Sequence, residues 1–294
     1  MAQYTTNFVS ADGLDIFYRS SGPQNPSTSV VLLLHGFPSS SHQYRHLIPL
    51  LSTGSNNKYR IVAPDLPGFG FTKVPTSRNY VYTFENLSKS LEAFLDALKI
   101  EKFSMYVFDY GAPTGYRLAL RRPGGIQAII TQNGNAYDDG LSAFWDTLRP
   151  YWKSGSSEDK DRVRAGVLTL EATEWQYTHG TNPSKIAPEA PFLDYALISR
   201  PGNDEVQLAL FYDYQKNVEL YPNFQGYFRS SKVPILAVWG KNDEIFLPEG
   251  AEAFKRDGGE KVEVKLLDAG HFAVESNAEE ISKLMLEFLK RNGI

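Results

Sequence analysis

Tyr106-Val107-Phe108-Asp109-Tyr110-Gly111-Ala112-Pro113 is the stretch on which the reading of this chain turns. A hydrophobic strand runs into Asp-Tyr-Gly and then into a helix-like segment, Thr114 to Arg122. Such an elbow exposes one side chain at the end of a strand, and its glycine lets the following helix approach. Asp109 stands in the exposed place. The same aspartate would also serve as an N-cap, because it accepts from first-turn N–H groups and complements the helix dipole. Its surroundings have to decide between the two.

On either side of the elbow, short aliphatic runs alternate with amphipathic stretches. Val30 to Leu34, Tyr59 to Ala63, Phe103 to Phe108 and Ile126 to Ile130 read as buried strands, while Phe84, Leu87, Leu91, Phe94, Leu95 and Leu98 repeat at helical spacing. This alternation predicts an α/β fold with a mostly parallel central sheet flanked by helices. From about Tyr137 to Phe228 the composition shifts to Trp, Tyr, Pro and charged residues without clear buried strands. The alternation then resumes with Val233 to Trp239, Val262 to Leu267 and a closing helix near Ile281 to Leu289. One core domain, residues 1–136 and 229–294, interrupted by a helical lid at 137–228, explains this better than two consecutive domains, since neither flank has enough strands alone. Tyr4 to Val9 and Leu14 to Ser20, alternating around Asp12-Gly13, read as an antiparallel hairpin at the start of the sheet.

Composition narrows the chemistry. The 294 residues carry 30 Lys and Arg against 34 Asp and Glu, a net charge of −4, so nothing favours a phosphate backbone or an anionic leaflet. Nucleic acid and membrane are therefore not expected partners. No cysteine is present, which excludes disulfides, thiolate metal sites and thiol nucleophiles. The N-terminal Met1 to Thr6 lacks a basic and then apolar signal, and the aliphatic run Val30 to Leu34 is far too short for a membrane span, so a cytoplasmic location is expected.

Three further motifs fall on loops at the carboxyl ends of predicted strands, where open α/β sheets bind ligands. His35-Gly36-Phe37-Pro38 follows Val30 to Leu34, Gly240-Lys241-Asn242-Asp243 follows Val233 to Trp239, and Gly270-His271-Phe272 follows Val262 to Leu267. The order Asp109, Asp243, His271 is that of nucleophile, acid and base in one hydrolase architecture. With these motifs the chain resembles the α/β-hydrolase fold over essentially its whole length. Its elbow aspartate resembles the branch containing epoxide hydrolases and haloalkane or haloacid dehalogenases, and Asp65-Leu66-Pro67-Gly68-Phe69-Gly70 resembles a loop common in the fold. Val107 departs from the small residue usual before the elbow, which bears on how tight the turn is.

An aspartate at this point suits different chemistry from a serine. A carboxylate displaces a leaving group from saturated carbon and leaves an alkyl ester. His271 would activate water to attack that ester's carbonyl, Asp243 would hold the imidazole in the required tautomer, and the N–H groups of Phe37 and Tyr110 would form the oxyanion hole, about 3 kcal/mol per donor. His271 as a satisfied loop histidine and Asp243 as a turn residue are the bland alternatives. His35 reads as structural, and His42 and His46 fall on a surface helix. His179, in the lid, is open to either substrate contact or exposure.

The leaving group is read from departures. Dehalogenases of this kind usually carry tryptophan after the nucleophile and often asparagine after His-Gly, where this chain has Tyr110 and Phe37. Fluoroacetate-type enzymes carry arginines just beyond the aspartate, where it has Tyr110 and Pro113. Epoxide opening needs a proton donor, and the resemblance implies a pair of lid tyrosines, one in a Tyr-Arg dipeptide near the lid's end. Asp213-Tyr214-Gln215-Lys216-Asn217 matches best but lacks the arginine, with Tyr227 before Phe228-Arg229 as another register. Tyr151, beside Trp152, and Tyr177, after Trp175, are candidates for the first tyrosine, and these four residues with Tyr227 are expected to contact the substrate. The expectation is an epoxide hydrolase acting on a small apolar electrophile without metal or organic cofactor. A dehalogenase and a hydrolase-fold protein that only binds a hydrophobic ligand are the alternatives.

Overall fold

The strand that leads to Asp109, β5 (Phe103–Phe108), is buried along its whole length, as a continuous apolar run in a parallel sheet requires. In the computed structural model, which describes residues 4–294, it is a central strand of an eight-stranded sheet. Met1, Ala2 and Gln3, the start of the N-terminal stretch weighed above, lie outside the described residues. The other strands are β1 (Thr5–Ala11), β2 (Leu14–Ser21), β3 (Val30–Leu34), β4 (Arg60–Pro64), β6 (Ile126–Gln132), β7 (Ile235–Gly240) and β8 (Val262–Leu267). Their order is β1-β2-β4-β3-β5-β6-β7-β8. The β1–β2 hairpin and the β2–β4 pair are antiparallel, and every other pair is parallel. This is an α/β-hydrolase sheet.

Alternation along each strand divides the core in two. Leu32, Leu34, Met105 and Val107 face one layer, packed beneath α2 (Phe84–Ala97) and α3 (Gly111–Arg121); Val31, Leu33, Tyr106 and Phe108 face the other, under α1 (Leu47–Gly54) and the closing helix. Helix α2 begins where the Thr83 hydroxyl accepts the Asn86 N–H, and Phe84, Leu87, Leu91 and Phe94 then bury one stripe. Each such large apolar side chain contributes roughly 1.5–3 kcal/mol on burial. Any polar reactive group therefore has to sit at a strand end.

The sheet sets which ends meet. β3 pairs with β4 on one side and β5 on the other, with Leu34 opposite Val107, so the loops that follow β3 and β5 lie together at a topological switch point. Between β6 and β7 the chain forms turns and seven helices: α4 (Arg149–Ser154), α5 (Ser157–Val167), α6 (Leu170–Thr178), α7 (Glu189–Ile198), α8 (Asn203–Asp213), α9 (Gln215–Glu219) and α10 (Tyr221–Ser230). These rest on the loops at the carboxyl edge. Gln207 donates to the Gly68 carbonyl, Arg200 to that of Gly70, and Asn242 donates back to the Gly180 carbonyl. Helices α11 (Pro248–Gly258), α12 (Ala273–Ser276) and α13 (Ala278–Arg291) complete the fold. Among the described residues no helix is long and apolar enough to cross a membrane.

Candidate active site

Asp109 sits in the left-handed region, φ +45°, between the end of β5 and the start of α3. A non-glycine residue held there stores strain of order 1–3 kcal/mol, which a surrounding structure must hold in place. Two neighbours permit it. A Cβ on Gly36 would lie 2.2 Å from the Asp109 Oδ1, so only glycine lets the carboxylate reach the loop after β3. A Cβ on Gly115 would meet the Val107 Cγ1 at 2.9 Å, so the bulk of Val107 is taken up by a missing side chain one helical turn into α3. The turn is tight despite Val107, and the sequence expectation is corrected on that point.

The carboxylate is 5% exposed and meets two backbone donors. Its Oδ1 accepts the Phe37 N–H at 2.6 Å, and the Tyr110 N–H bonds to the same group. Burial pushes its pKa up to about 6, against the opposing pull of His271 and the two N–H groups, while the Asp243 charge adds to the rise. Asp109 therefore faces both carbonyl-stabilising donors and the imidazole. It does not act as an N-cap, since its carboxylate turns back to Phe37 instead of along α3.

His271 and Asp243 form the second half. Nδ1 of His271 lies 2.8 Å from Oδ2 of Asp243, both side chains being buried. The Asp243 carboxylate also accepts the Ile245 N–H at 2.7 Å and the Asn133 amide at 2.7 Å. With a carboxylate at Nδ1 the imidazole proton stays there, and Nε2 is left as an acceptor. That Nε2 is buried without a hydrogen-bond partner among the described residues. Burial lowers the His271 pKa, but the Asp243 charge and hydrogen bond, with the Asp109 charge, outweigh it and the pKa is raised. Asn133, which the sequence reading missed, fixes this assembly. Itself at φ +46°, it accepts the Gly240 N–H at 2.9 Å as it donates to Asp243. Gln132 adds a bond to the His271 carbonyl at 2.9 Å. Asn133 directly after an aliphatic strand was the available signal, because Asn tolerates the left-handed region.

Aromatic rings roof the carboxylate. Tyr214 joins α8 to α9 and is buried, its ring 4.3 Å from Trp145, 5.5 Å from Phe84 and 5.7 Å from Tyr110, and stacked with Trp152 at 6.2 Å. Its hydroxyl hydrogen-bonds that of Tyr221, and both feel the Asp109 charge, which together with burial raises their pKa values. Tyr221 was missed, although it follows Tyr214 by two helical turns. Asn135 orients the pair. Its Oδ1 accepts the Tyr137 N–H and its Nδ2 donates to the Tyr137 carbonyl, which fixes the amide so that Nδ2 also donates to the Tyr221 hydroxyl at 3.3 Å. Asn135, Tyr221 and Tyr214 thereby form one hydrogen-bonded chain that ends at the Tyr214 phenol.

The remaining tyrosines named from the sequence are not brought to Asp109. Tyr151 packs on Tyr212 and faces Lys160, Glu205 and Arg164. The Tyr177 hydroxyl bonds Asp194, and its ring stacks on Phe272 at 3.9 Å. Tyr227 lies beside Ser231 near the amino end of β6. Locally similar sequence is the reason for these differences, because the partner that decides each tyrosine's direction is distant in the chain. Trp175 stacks on His179, which is 3.1 Å from Glu244, next to Asp243. His35 is buried, accepts the Leu66 N–H at 2.9 Å and has its pKa lowered by burial, a structural histidine. His42 is not on a surface helix. It belongs to a 3-10 turn, Ser41–Tyr44, where burial lowers its pKa to about 4. Among the described residues no group of three His, Cys, Asp or Glu side chains is placed to hold a metal ion.

Such a site presents a buried carboxylate, a polarised imidazole and phenols over one space, which is equipment for nucleophilic displacement followed by hydrolysis. Comparison with known proteins is consistent with a hydrolase. Residues 29–278 match the family model for the alpha/beta hydrolase fold. An uncharacterized hydrolase of Saccharomyces cerevisiae is 46% identical over 286 residues, 96% of this chain and 95% of that protein. The crystal structure of the haloalkane dehalogenase DatA from Agrobacterium tumefaciens superposes with a TM-score of 0.79 at 22% identity, covering 98% of this chain and 97% of that one. An epoxide hydrolase from Vigna radiata superposes with a TM-score of 0.75 at 24% identity, covering 99% of both. The chain belongs to the α/β-hydrolase fold family.

Proposed function

We propose that this protein converts a small apolar epoxide to a diol through an alkyl ester on Asp109. Attack by a carboxylate oxygen on an epoxide carbon breaks the C–O bond, and the departing alkoxide takes the Tyr214 proton. Water, deprotonated by His271 Nε2, then adds to the Asp109 carbonyl. The tetrahedral oxyanion is held by the Phe37 and Tyr110 N–H groups; its collapse expels the diol, which takes the imidazolium proton, and the proton left on the Asp109 carboxyl returns to the Tyr214 phenolate, restoring the resting site. Forming the ester removes the negative charge that helps to raise the His271 pKa, which shifts the imidazole toward the neutral form needed of a base. The helices between β6 and β7 act as a lid that excludes water during the first step.

The observation that carries the epoxide reading is the buried, hydrogen-bonded phenol pair Tyr214 and Tyr221, both of which feel the Asp109 charge and so supply an O–H donor beside the carboxylate. Halide release would need free N–H donors over the carboxylate. The Trp145 indole donates instead to the Ile245 carbonyl at 3.0 Å and the Trp152 indole to the Phe211 carbonyl at 2.7 Å. That supports an alkoxide over a halide as leaving group. Incubation with a mixed panel of terminal and aryl epoxides and bromoalkanes tests this. Diol formation with little bromide release is expected; bromide release without diol would replace the reading by a dehalogenase, and neither product would favour a protein that only binds its ligand.

A further inference from the structure

An acid on a helix junction is useful only if the junction is held, and the turn carrying Tyr214 is anchored at both ends on the core. At one end the Asp213 carboxylate accepts the Phe84 N–H, the first residue of α2, at 2.8 Å. At the other, Asn217 donates its backbone N–H to the Tyr214 carbonyl at 2.8 Å, and its side-chain oxygen accepts Arg117 Nη1–H at 2.6 Å. Arg117 stands on α3, the helix that starts just after Asp109. Its guanidinium also donates to the Pro113 carbonyl at 3.1 Å and the Lys216 carbonyl at 3.5 Å, and lies 5.8 Å from both the Phe84 and Phe224 ring centres.

For packing alone, this arginine is an expensive choice. It is 4% exposed, its Nε has no hydrogen-bond partner, and the nearest carboxylate oxygen of Glu85 is 3.8 Å away. A hydrophobic side chain would fill the space between Phe84 and Phe224 with less desolvation, and replacing buried charges in this way is often neutral or stabilising. What arginine supplies that such a side chain does not is a planar, multidentate fork that ties Asn217 and Lys216 to the backbone of α3. We propose that Arg117 is a positioning residue for epoxide opening: through Asn217 it fixes the turn that holds the Tyr214 phenol above Asp109. One helix then sets the spacing of nucleophile and acid, with Asp109 before its first turn and the acid's anchor in its second. The arginine that the Tyr214 neighbourhood lacks in sequence is provided from α3. This inference rests on the epoxide reading above.

The test separates the half-reactions. In a rapid-quench single turnover with an accepted epoxide, mass spectrometry follows formation and decay of the ester on Asp109. Arg117→Met should slow formation on the order of ten-fold by misplacing the acid. Decay, which uses His271 and Asp243, should stay within about twofold. In a Tyr214→Phe background the same change should add nothing, because no phenol remains to be placed. Asn217→Leu, which removes the acceptor from the lid side, should reproduce the selective slowing and carries the test if Arg117→Met does not fold. Equal loss in both steps, or full additivity with Tyr214→Phe, would show a merely structural role and overturn the proposal. A wild-type protein that forms neither ester nor diol would remove the epoxide reading itself, a result distinct from either.

Discussion

The carboxyl edge of the sheet and the helices above it solve different problems. At the edge, Asp109 and Asp243 follow the buried strands β5 and β7 and His271 follows the outer strand β8, and the strand register decides where they meet: Leu34 beside Val107, Gly240 beside Leu267. In the helical segment Tyr214 has no such frame. Its place depends on Trp145, Phe84 and Arg117, all distant in sequence, which meet it directly or through its near neighbours Asn217 and Tyr221. The proposed mechanism divides along the same line, with ester hydrolysis served by the edge and ring opening by the helices. Substitutions in the two regions should therefore fail differently.

The sharpest contrast is expected at His271. His271→Gln should still form the ester but slow its hydrolysis by about 10³ or more, in line with loss of a general base. The adduct should accumulate on a peptide containing Phe108-Asp109-Tyr110, measured by mass spectrometry after digestion. Absence of both adduct and product would move His271 into the first step and break the division between regions.

Above the edge the opposite pattern is expected. Tyr214→Phe should slow ring opening by about 10² without accumulation of ester. Tyr221→Phe, which removes the hydroxyl that bonds Tyr214 and Asn135, should cost less, about ten-fold. Changes of Tyr151 and Tyr227 to Phe should leave kcat/KM within about twofold, because neither hydroxyl is placed near Asp109. A severe effect at Tyr151 with a silent Tyr214 would reassign the acid.

These two regions were unequally legible in the sequence. Strands and their end-loops are local events. An aliphatic run followed by His-Gly or Asp-Tyr-Gly names both the strand and the residue at its tip, so the candidate set Asp109, Asp243 and His271 could be named from motif order alone. Asn133 escaped because its work is to brace Asp243, 110 residues away. The lid tyrosines share one composition, and nothing near Tyr177 in the chain says that its hydroxyl will be taken by Asp194. Aromatic abundance marks a roof and leaves open which ring faces the carboxylate. Tyr214 was reached through its short motif, whereas Tyr221 and Arg117 required the packing of α9 and α10 on α3.

The smallest effects come from charge. Asp109 reacts as the carboxylate, and its pKa stands at about 6 because the folded state buries it. kcat/KM for ester formation should therefore fall about ten-fold per pH unit below about pH 6, a higher threshold than an ordinary carboxylate gives. The same shift acts on stability with a definite sign. A folded-state pKa raised above the unfolded one means that the ionised group destabilises the fold, fully above about pH 6 and progressively less as pH falls toward the unfolded value. Asp109→Ala should raise Tm, and the gain over wild type should be larger at pH 8 than at pH 5 by differential scanning calorimetry. An equal or reversed gain would place the carboxylate in a more favourable setting than its burial implies.

The alkyl ester on Asp109 is tested most directly by oxygen tracing in a single turnover. With enzyme in excess over an epoxide in heavy-oxygen water, the carboxylate supplies the oxygen that enters the first diol, and solvent oxygen enters Asp109 when water attacks the ester carbonyl. The first diol should be mostly unlabelled at the newly added position, and the label should appear in the peptide around Phe108-Asp109-Tyr110. A labelled diol with an unlabelled Asp109 would mean that water attacks the epoxide itself, and would contradict covalent catalysis even if every substitution above were inactivating.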